Sequence, residues 1–354
     1  MDNQTFECAL RAQPSYRLGE PIIVTFEIRN AGRESYRVLV WDTPLRGEPF
    51  NFLSVSRDGI ELHYDGKLVR RGDRPEEGDY VTLASGESQS ADVDISRLYP
   101  VQLPGEYTVT LNATLYDAFS VPSEADAGVR SVADHEPQRL APTSVTFTVS
   151  AGDPPRMTLG EAARLDQPSA KLARISQPWV IGGTEAQQSE TRSAHFYAWY
   201  LAQKAYGQLT GSNPGANSLY LKWFGINAQL FPFSGLTRYN VATMNFGSIK
   251  SKLEGPTIVL PLMYDLTGTG CHANWYAYTY TNSGKVWLCS LFWGSPLFPG
   301  PYSKAATLVH EWAHAAANLS DHAYGQPACL NLAMNNPWNA VSNPDNYAFF
   351  ADEA

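Results

Sequence analysis

The chain has 354 residues, enough for two domains, and its 44% hydrophobic and 17% charged content fits a globular rather than a disordered protein. A net charge of -9 argues against nucleic acid and anionic membranes as partners, and no apolar run reaches transmembrane length. The 9 Trp, 19 Tyr and 15 Phe point to aromatic-rich packing or a substrate groove.

Residues 6–150 read as strands. Tyr16–Asn30 contains a turn at Gly19-Glu-Pro21, followed by alternation of Ile23, Thr25 and Glu27 against Val24, Phe26 and Ile28. Similar runs are Tyr36–Trp41, Leu53–Ser56, Val81–Leu83, Ala91–Ile95, Gly105–Tyr116 and Ser144–Val149. Short strands with Gly, Pro and Asp turns and no helical period predict a β-sandwich of immunoglobulin-like type over residues 1–150. Residues 117–142 are expected to form a long polar loop. His63 and His135 stand alone and are expected to be surface polar residues.

Composition shifts over 151–180, the expected linker, with a short helix at Leu159–Leu165. If exposed, Arg164, Lys171 and Arg174 would make this stretch open to trypsin-like or lysine-directed cleavage. From Thr184 the period becomes helical, and Ala194, Ala198, Leu201, Ala202, Ala205 and Leu209 fall on one stripe. Tyr276–Tyr280 and Lys285–Cys289 alternate around Thr281-Asn-Ser-Gly284, predicting a hairpin. Residues 181–354 thus read as a mainly helical α+β domain.

A helix is predicted over Tyr302–Ala317, and it carries His310-Glu311-Trp-Ala-His314. Residues four apart share a helix face, so both imidazoles can grip one zinc ion with Glu311 beside the open position. Zinc needs a third protein ligand. A downstream His of the Met-turn type fails because the required positions hold Ala317 and Ser320. A distant Glu fails because the only later one, Glu353, is next to the C-terminus. Asp321 is the nearby candidate, with His322 its rival.

Here the sequence resembles the aspzincin metalloendopeptidases, the family of deuterolysin and the peptidyl-Lys metalloendopeptidases. Asp321-His-Ala-Tyr324-Gly325 matches the second half of their signature; Asn318-Leu319 stands in place of Gly-Thr, and the spacer from His314 is about two residues shorter. The resemblance continues through Tyr220–Gly225, Cys271, Tyr276–Tyr280, Cys289, Phe292-Trp293 and Asn343–Phe350, covering essentially all of 181–354. The β-rich first half resembles the family's propeptide.

The resemblance implies His310, His314 and Asp321 as ligands of one catalytic Zn2+. Glu311 would take a proton from the attacking water, whose pKa the metal lowers from about 15.7 toward 7. Tyr324 would donate to the tetrahedral oxyanion. Asp345 would receive a substrate cation in the S1′ pocket. Ala348 stands where lysine-specific members place a second carboxylate, so a looser preference for Lys, or Arg, at P1′ is expected. Cys271 and Cys289 match a family disulfide, which implies export. Cys8 and Cys329 are left free or paired with each other.

The N-terminus has no basic or apolar signal region, so the protein is expected to be either cytosolic or secreted with its signal peptide already removed, and the cysteine placement favours the second. A monomeric proenzyme is expected, acting on protein and peptide substrates and inhibited by its own pro-domain. The basic stretch Tyr64–Arg71 is one candidate to bring a cation near Asp345, although a surface turn is the more economical reading. The competing function is a catalytically dead binding or adhesion protein; intact Glu311 and Tyr324 argue against it.

Overall fold

The computed structural model describes residues 5–41, 43–46, 51–72, 74–111, 113–121, 129–165, 178–229, 235–255 and 262–354. The chain forms two compact units. One comprises Met1–Lys67 and Arg74–Ala162; the other comprises Leu68–Asp73 and Ala163–Ala354. The division falls at 162/163, inside the expected linker, while a short internal segment of the first half belongs with the second. The candidate cleavage residues Lys171 and Arg174, and the side chain of Arg164, lie outside what is described.

The first unit is built of strands. Ile23–Asn30 lies antiparallel between Phe6–Ala12 and Ser88–Asp94, pairing Phe26 with Leu10 on one side and Ala91 on the other. Val24, Phe26 and Ile28 are buried and Thr25 and Glu27 are not, which is the two-residue period visible in the sequence. A five-stranded sheet runs in the order Ser15–Arg17, Thr143–Ser150, Gly105–Leu111, Leu53–Arg57, Ile60–Leu62. The 117–142 stretch differs from the expected single loop. Ala118–Ser120 pairs with Tyr36–Leu39, and Gln138–Arg139 pairs with Thr114–Leu115. Buried Asp117 ties it down, accepting from the Tyr80 hydroxyl at 2.9 Å and the Glu136 amide at 2.7 Å. His63 is exposed, whereas His135 is partly buried against Trp41.

The second unit surrounds its core with helices and one mixed sheet. The sheet order is Trp179–Ile181, Met263–Asp265, Lys285–Leu288, Trp275–Tyr280, Lys67–Arg71. Trp275–Tyr280 and Lys285–Leu288 form the expected hairpin, pairing Tyr278 with Trp287, whose rings stack at 4.9 Å. Cys271 and Cys289 are joined in a disulfide that brackets it; Cys8 and Cys329 are free thiols. The long helix Glu185–Thr210 starts with a capping box between Thr184 and Gln187 and buries the predicted stripe from Ala194 to Leu209.

The helix bearing the His-Glu-x-x-His motif spans Lys304–Ala317, and every residue from Lys304 to Ala315 is buried. Helices Glu185–Thr210, Arg238–Glu254 and Pro344–Glu353 pack against it. Ala305, Ala306, Ala313 and Ala315 make that possible, because small side chains let neighbours approach on all sides. Trp312 fixes its rotation by donating from Nε1 to the Tyr264 hydroxyl at 2.9 Å. No described helix is long and apolar enough to cross a membrane.

Candidate metal centre and catalytic groups

Local chemistry sets both ends of the motif helix. Ser303 caps the start by accepting from the Ala306 amide at 3.1 Å. At the other end Asn318 adopts the left-handed conformation, φ 59° and ψ 39°. Asparagine is one of the few side chains that enters this region readily, so it can do what the family's glycine does. The chain then reverses. Leu319 brings its carbonyl to 2.7 Å from His314 Nδ1, and Asp321 comes up against both imidazoles.

Three donors converge there. The Nε2 atoms of His310 and His314 lie 3.1 Å apart, and the Asp321 oxygens stand 3.5 Å and 3.3 Å from them. Two ligands of a tetrahedral zinc, each bonded at about 2.0–2.1 Å, are separated by roughly 3.3 Å. The donor chemistry fits as well. Each Nδ1 already faces an oxygen, Asp345 Oδ1 at 2.8 Å for His310 and Leu319 O for His314, which leaves Nε2 as the inward-facing lone pair. Two such lone pairs at hydrogen-bond distance repel unless a proton or a cation lies between them. Burial alone would lower His314, but Asp321 outweighs it and lifts the imidazole to about 9; burial leaves His310 lowered.

His322 turns away from this cluster. Its amide donates to Asn343 Oδ1 at 2.7 Å and its Nε2 lies 2.9 Å from Ser342 Oγ. Adjacent residues on a turn cannot both face one ion, and Asp321 is the one that does.

Glu311 sits in the same face of the helix, fully buried, and neither carboxylate oxygen has a hydrogen-bond partner. Burial pushes its carboxyl up to about 8, and the charge of His314, then that of Arg70, offsets only part of that. An unpaired carboxylate held dry beside a cation site is suited to accept a proton and pass it on. Tyr324 is buried, and its hydroxyl donates to the Val69 carbonyl at 3.2 Å.

Asp345 does more than the sequence suggested. Oδ1 faces His310 Nδ1 and, at 3.5 Å, Arg70 Nε; Oδ2 accepts from the Gly325 amide at 2.9 Å. Burial works against its charge, yet the Arg70 guanidinium and then His310 hold the carboxyl down to about 2. The same carboxylate therefore orients a metal-facing histidine and meets a cation. Ala348 lies buried one turn further along the helix.

The basic stretch also departs from its more economical reading as a surface turn. Lys67–Arg71 is an edge strand, and Leu68, Val69, Arg70 and Arg71 are all buried. An edge strand gains backbone partners from the neighbouring Trp275–Tyr280 strand, and Asp345 compensates the buried charge of Arg70.

Asn343 is a positioning residue that sequence reasoning left without a role. Its Oδ1 accepts from the amides of His322 and Ala323, and its Nδ2 donates to the Ala323 carbonyl at 3.0 Å and to Asn346 Oδ1 at 2.7 Å. It fastens the loop carrying Asp321 to the start of the last helix. The signal was its place in Asn343-Pro-Asp345, where an asparagine before a helix-starting proline reads as an ordinary cap.

Comparison with known proteins places the chain among peptidases. Residues 209–352 match a family model described as lysine-specific metallo-endopeptidase, the aspzincins. An extracellular protease of Aeromonas hydrophila is 30% identical over 94% of this chain and 88% of its own length. A peptidyl-Lys metalloendopeptidase of Armillaria mellea is 26% identical over 83% of this chain and 74% of its own length. A solved zinc peptidase from Grifola frondosa is 29% identical, covering 48% of this chain and 97% of its own with a TM-score of 0.41. The chain belongs to the aspzincin family of metalloendopeptidases.

Proposed function

We propose that the protein is a secreted, zinc-dependent endopeptidase that cuts before Lys or Arg and is made as a latent precursor. One observation carries the catalytic part. Asp321 lies 3.5 Å and 3.3 Å from two histidine Nε2 atoms that are themselves 3.1 Å apart, with unpaired Glu311 on the same helix. The relatives named extracellular protease and peptidyl-Lys metalloendopeptidase support export and the basic P1′ preference. The Cys271–Cys289 disulfide supports export too, because reducing compartments seldom keep one.

His310, His314 and Asp321 would hold a single zinc ion. Bound there, zinc supplies Lewis-acid polarisation and an acidified water. Asp345 and Leu319 keep both imidazoles in the tautomer that presents Nε2. Glu311 takes the proton from the attacking water and delivers it to the leaving amine, a role its buried, unpartnered carboxylate is free to fill. The Tyr324 hydroxyl donates to the carbonyl oxygen as charge develops on it. Asp345, buried and anionic, selects a cationic side chain just past the cut bond, since an apolar one would leave its charge uncompensated. With Ala348 in place of a second acid, the preference is set by one carboxylate.

The β-rich first unit, proposed as an immunoglobulin-like sandwich, would serve as the propeptide, with processing near residues 151–180. The test is zinc analysis of the purified chain together with mass spectrometry of the fragments it releases from a denatured protein. About one zinc per chain and cuts before Lys or Arg are expected. Cuts before apolar residues would overturn the specificity.

A further inference from the structure

A segment of the chain already lies against the catalytic groups, and its register is informative. Leu68–Asp73 belongs to the same compact unit as the catalytic groups, and within it Val69 and Arg70 are consecutive. The Val69 carbonyl accepts from the Tyr324 hydroxyl at 3.2 Å. The next side chain, Arg70, is 1% exposed and places Nε 3.5 Å from Asp345 Oδ1. Its guanidinium also donates to the Pro301 carbonyl at 2.7 Å and lies 5.9 Å from the ring centres of both Tyr276 and Tyr302. A cation between two aromatic faces and a carboxylate has the surroundings of a built pocket. Beyond it the Gly72 amide donates to the Asn274 carbonyl at 2.8 Å, and a Cβ on Gly72 would meet Leu291 Cδ1 at 2.7 Å.

Two roles meet on one peptide bond. The carbonyl that Tyr324 would polarise belongs to Val69. The side chain that Asp345 would select belongs to Arg70. In a peptidase the polarised carbonyl lies just before the cut and the selected side chain just after it.

We propose that Leu68–Gly72 is an internal substrate mimic held in cleavage register, with Val69 in the P1 position and Arg70 filling the S1′ pocket. The reading rests on the proposed endopeptidase function and deepens it in two ways. It identifies which residue keeps the precursor latent, and it makes arginine an accepted P1′ side chain. Tethering gives the segment a local concentration on the order of millimolar, so an external substrate must displace it. The neighbouring Arg71 lies over Trp275, with its guanidinium 5.7 Å from the ring centre, and is no part of the S1′ contact.

The test uses the full chain carrying Glu311→Gln and loaded with zinc, so that binding is read without turnover. The probe is a fluorescein-labelled peptide reproducing residues 67–72, followed by anisotropy. Adding Arg70→Ala should tighten peptide binding at least tenfold, while Arg70→Lys and Arg71→Ala change it less than threefold. Hydrogen exchange at the amides of 68–72 should speed up at least tenfold in Arg70→Ala, and zinc content near one per chain reports that each variant is folded. A peptide with alanine at the position of Arg70 should lose at least tenfold against the Arg70→Ala chain. Equal effects of Arg70→Ala and Arg71→Ala would overturn the register, and no effect of either would overturn the mimic. The two readings fail separately. A wild-type chain that hydrolyses no peptide defeats the endopeptidase function, whereas an active chain indifferent to Arg70 defeats only the mimic.

Discussion

The two compact units bury charge in opposite ways. In the strand-built unit two fully buried carboxylates meet partners from their own chain: Asp117 accepts from the Tyr80 hydroxyl and the Glu136 amide, and Asp79 meets Arg46. In the helical unit the most deeply buried stretch, Lys304–Ala315, holds Glu311 with both oxygens unpaired and two imidazoles whose lone pairs face each other. Polar groups left unmatched in a dry interior cost stability, so they persist where something else completes them. In the strand unit these carboxylates are compensated within the chain. In the helical unit, His310, His314 and Asp321 form a cluster that could hold a metal ion.

That contrast can be broken by substitution. The largest effect is expected for Glu311→Gln, which should lower peptide hydrolysis by roughly 10²–10⁴-fold while bound zinc stays at about one per chain, as read by plasma emission spectrometry. Full activity would remove Glu311 from the chemistry. Phe26→Ala in the strand unit should destabilise that unit by about 3–5 kcal/mol in denaturant melts. Zinc stoichiometry of the folded fraction should not change; a drop would mean that the first unit is needed to build the metal site.

Replacing Cys271 and Cys289 together by serine should cost about 3 kcal/mol for a loop of this length, measured by thermal unfolding with and without reductant. Asn343→Ala should weaken zinc affinity or activity by about 10–100-fold, the usual effect of losing an outer-shell support. Competition with a chelator would detect it. Unchanged affinity would show that the Asp321 loop holds its place without this side chain.

The smallest effect is on pH. In the metal-free protein Glu311 titrates near 8 rather than 4.5, and His314 near 9 rather than 6.5. Both folded-state values are raised, while burial lowers His135, His195, His310 and His322, so the folded chain holds the extra protons only above the ordinary imidazole value of 6.5 and up to about 9. Metal-free stability should therefore fall as pH rises through that window. Zinc binding expels the His314 proton, so affinity should rise by up to about tenfold per pH unit and level off above pH 9. Affinity that falls with rising pH would contradict the proton-for-metal exchange.

Much of this was legible in the chain itself, and the reason is distance along it. His310 and His314 are one helical turn apart, and Asp321 follows after a single reversal at Asn318, so helix period and a left-handed turn bring them together. The hairpin at Trp275–Leu288 and the alternating strand at Ile23–Asn30 were readable for the same reason. Pairing of Ala118–Ser120 with Tyr36–Leu39 was not, because a three-residue strand carries too little alternation to stand out from a loop.

What the tertiary structure decided lies between residues far apart in sequence. Asp345 reaches His310 across 35 positions and so acquires a second task that its local motif does not state. Arg70 reaches Pro301 across 231 positions, and Val69 reaches Tyr324 across 255. A basic turn and a buried pseudo-substrate have the same composition. Only a neighbouring strand edge and a waiting carboxylate, both supplied by packing, distinguish them.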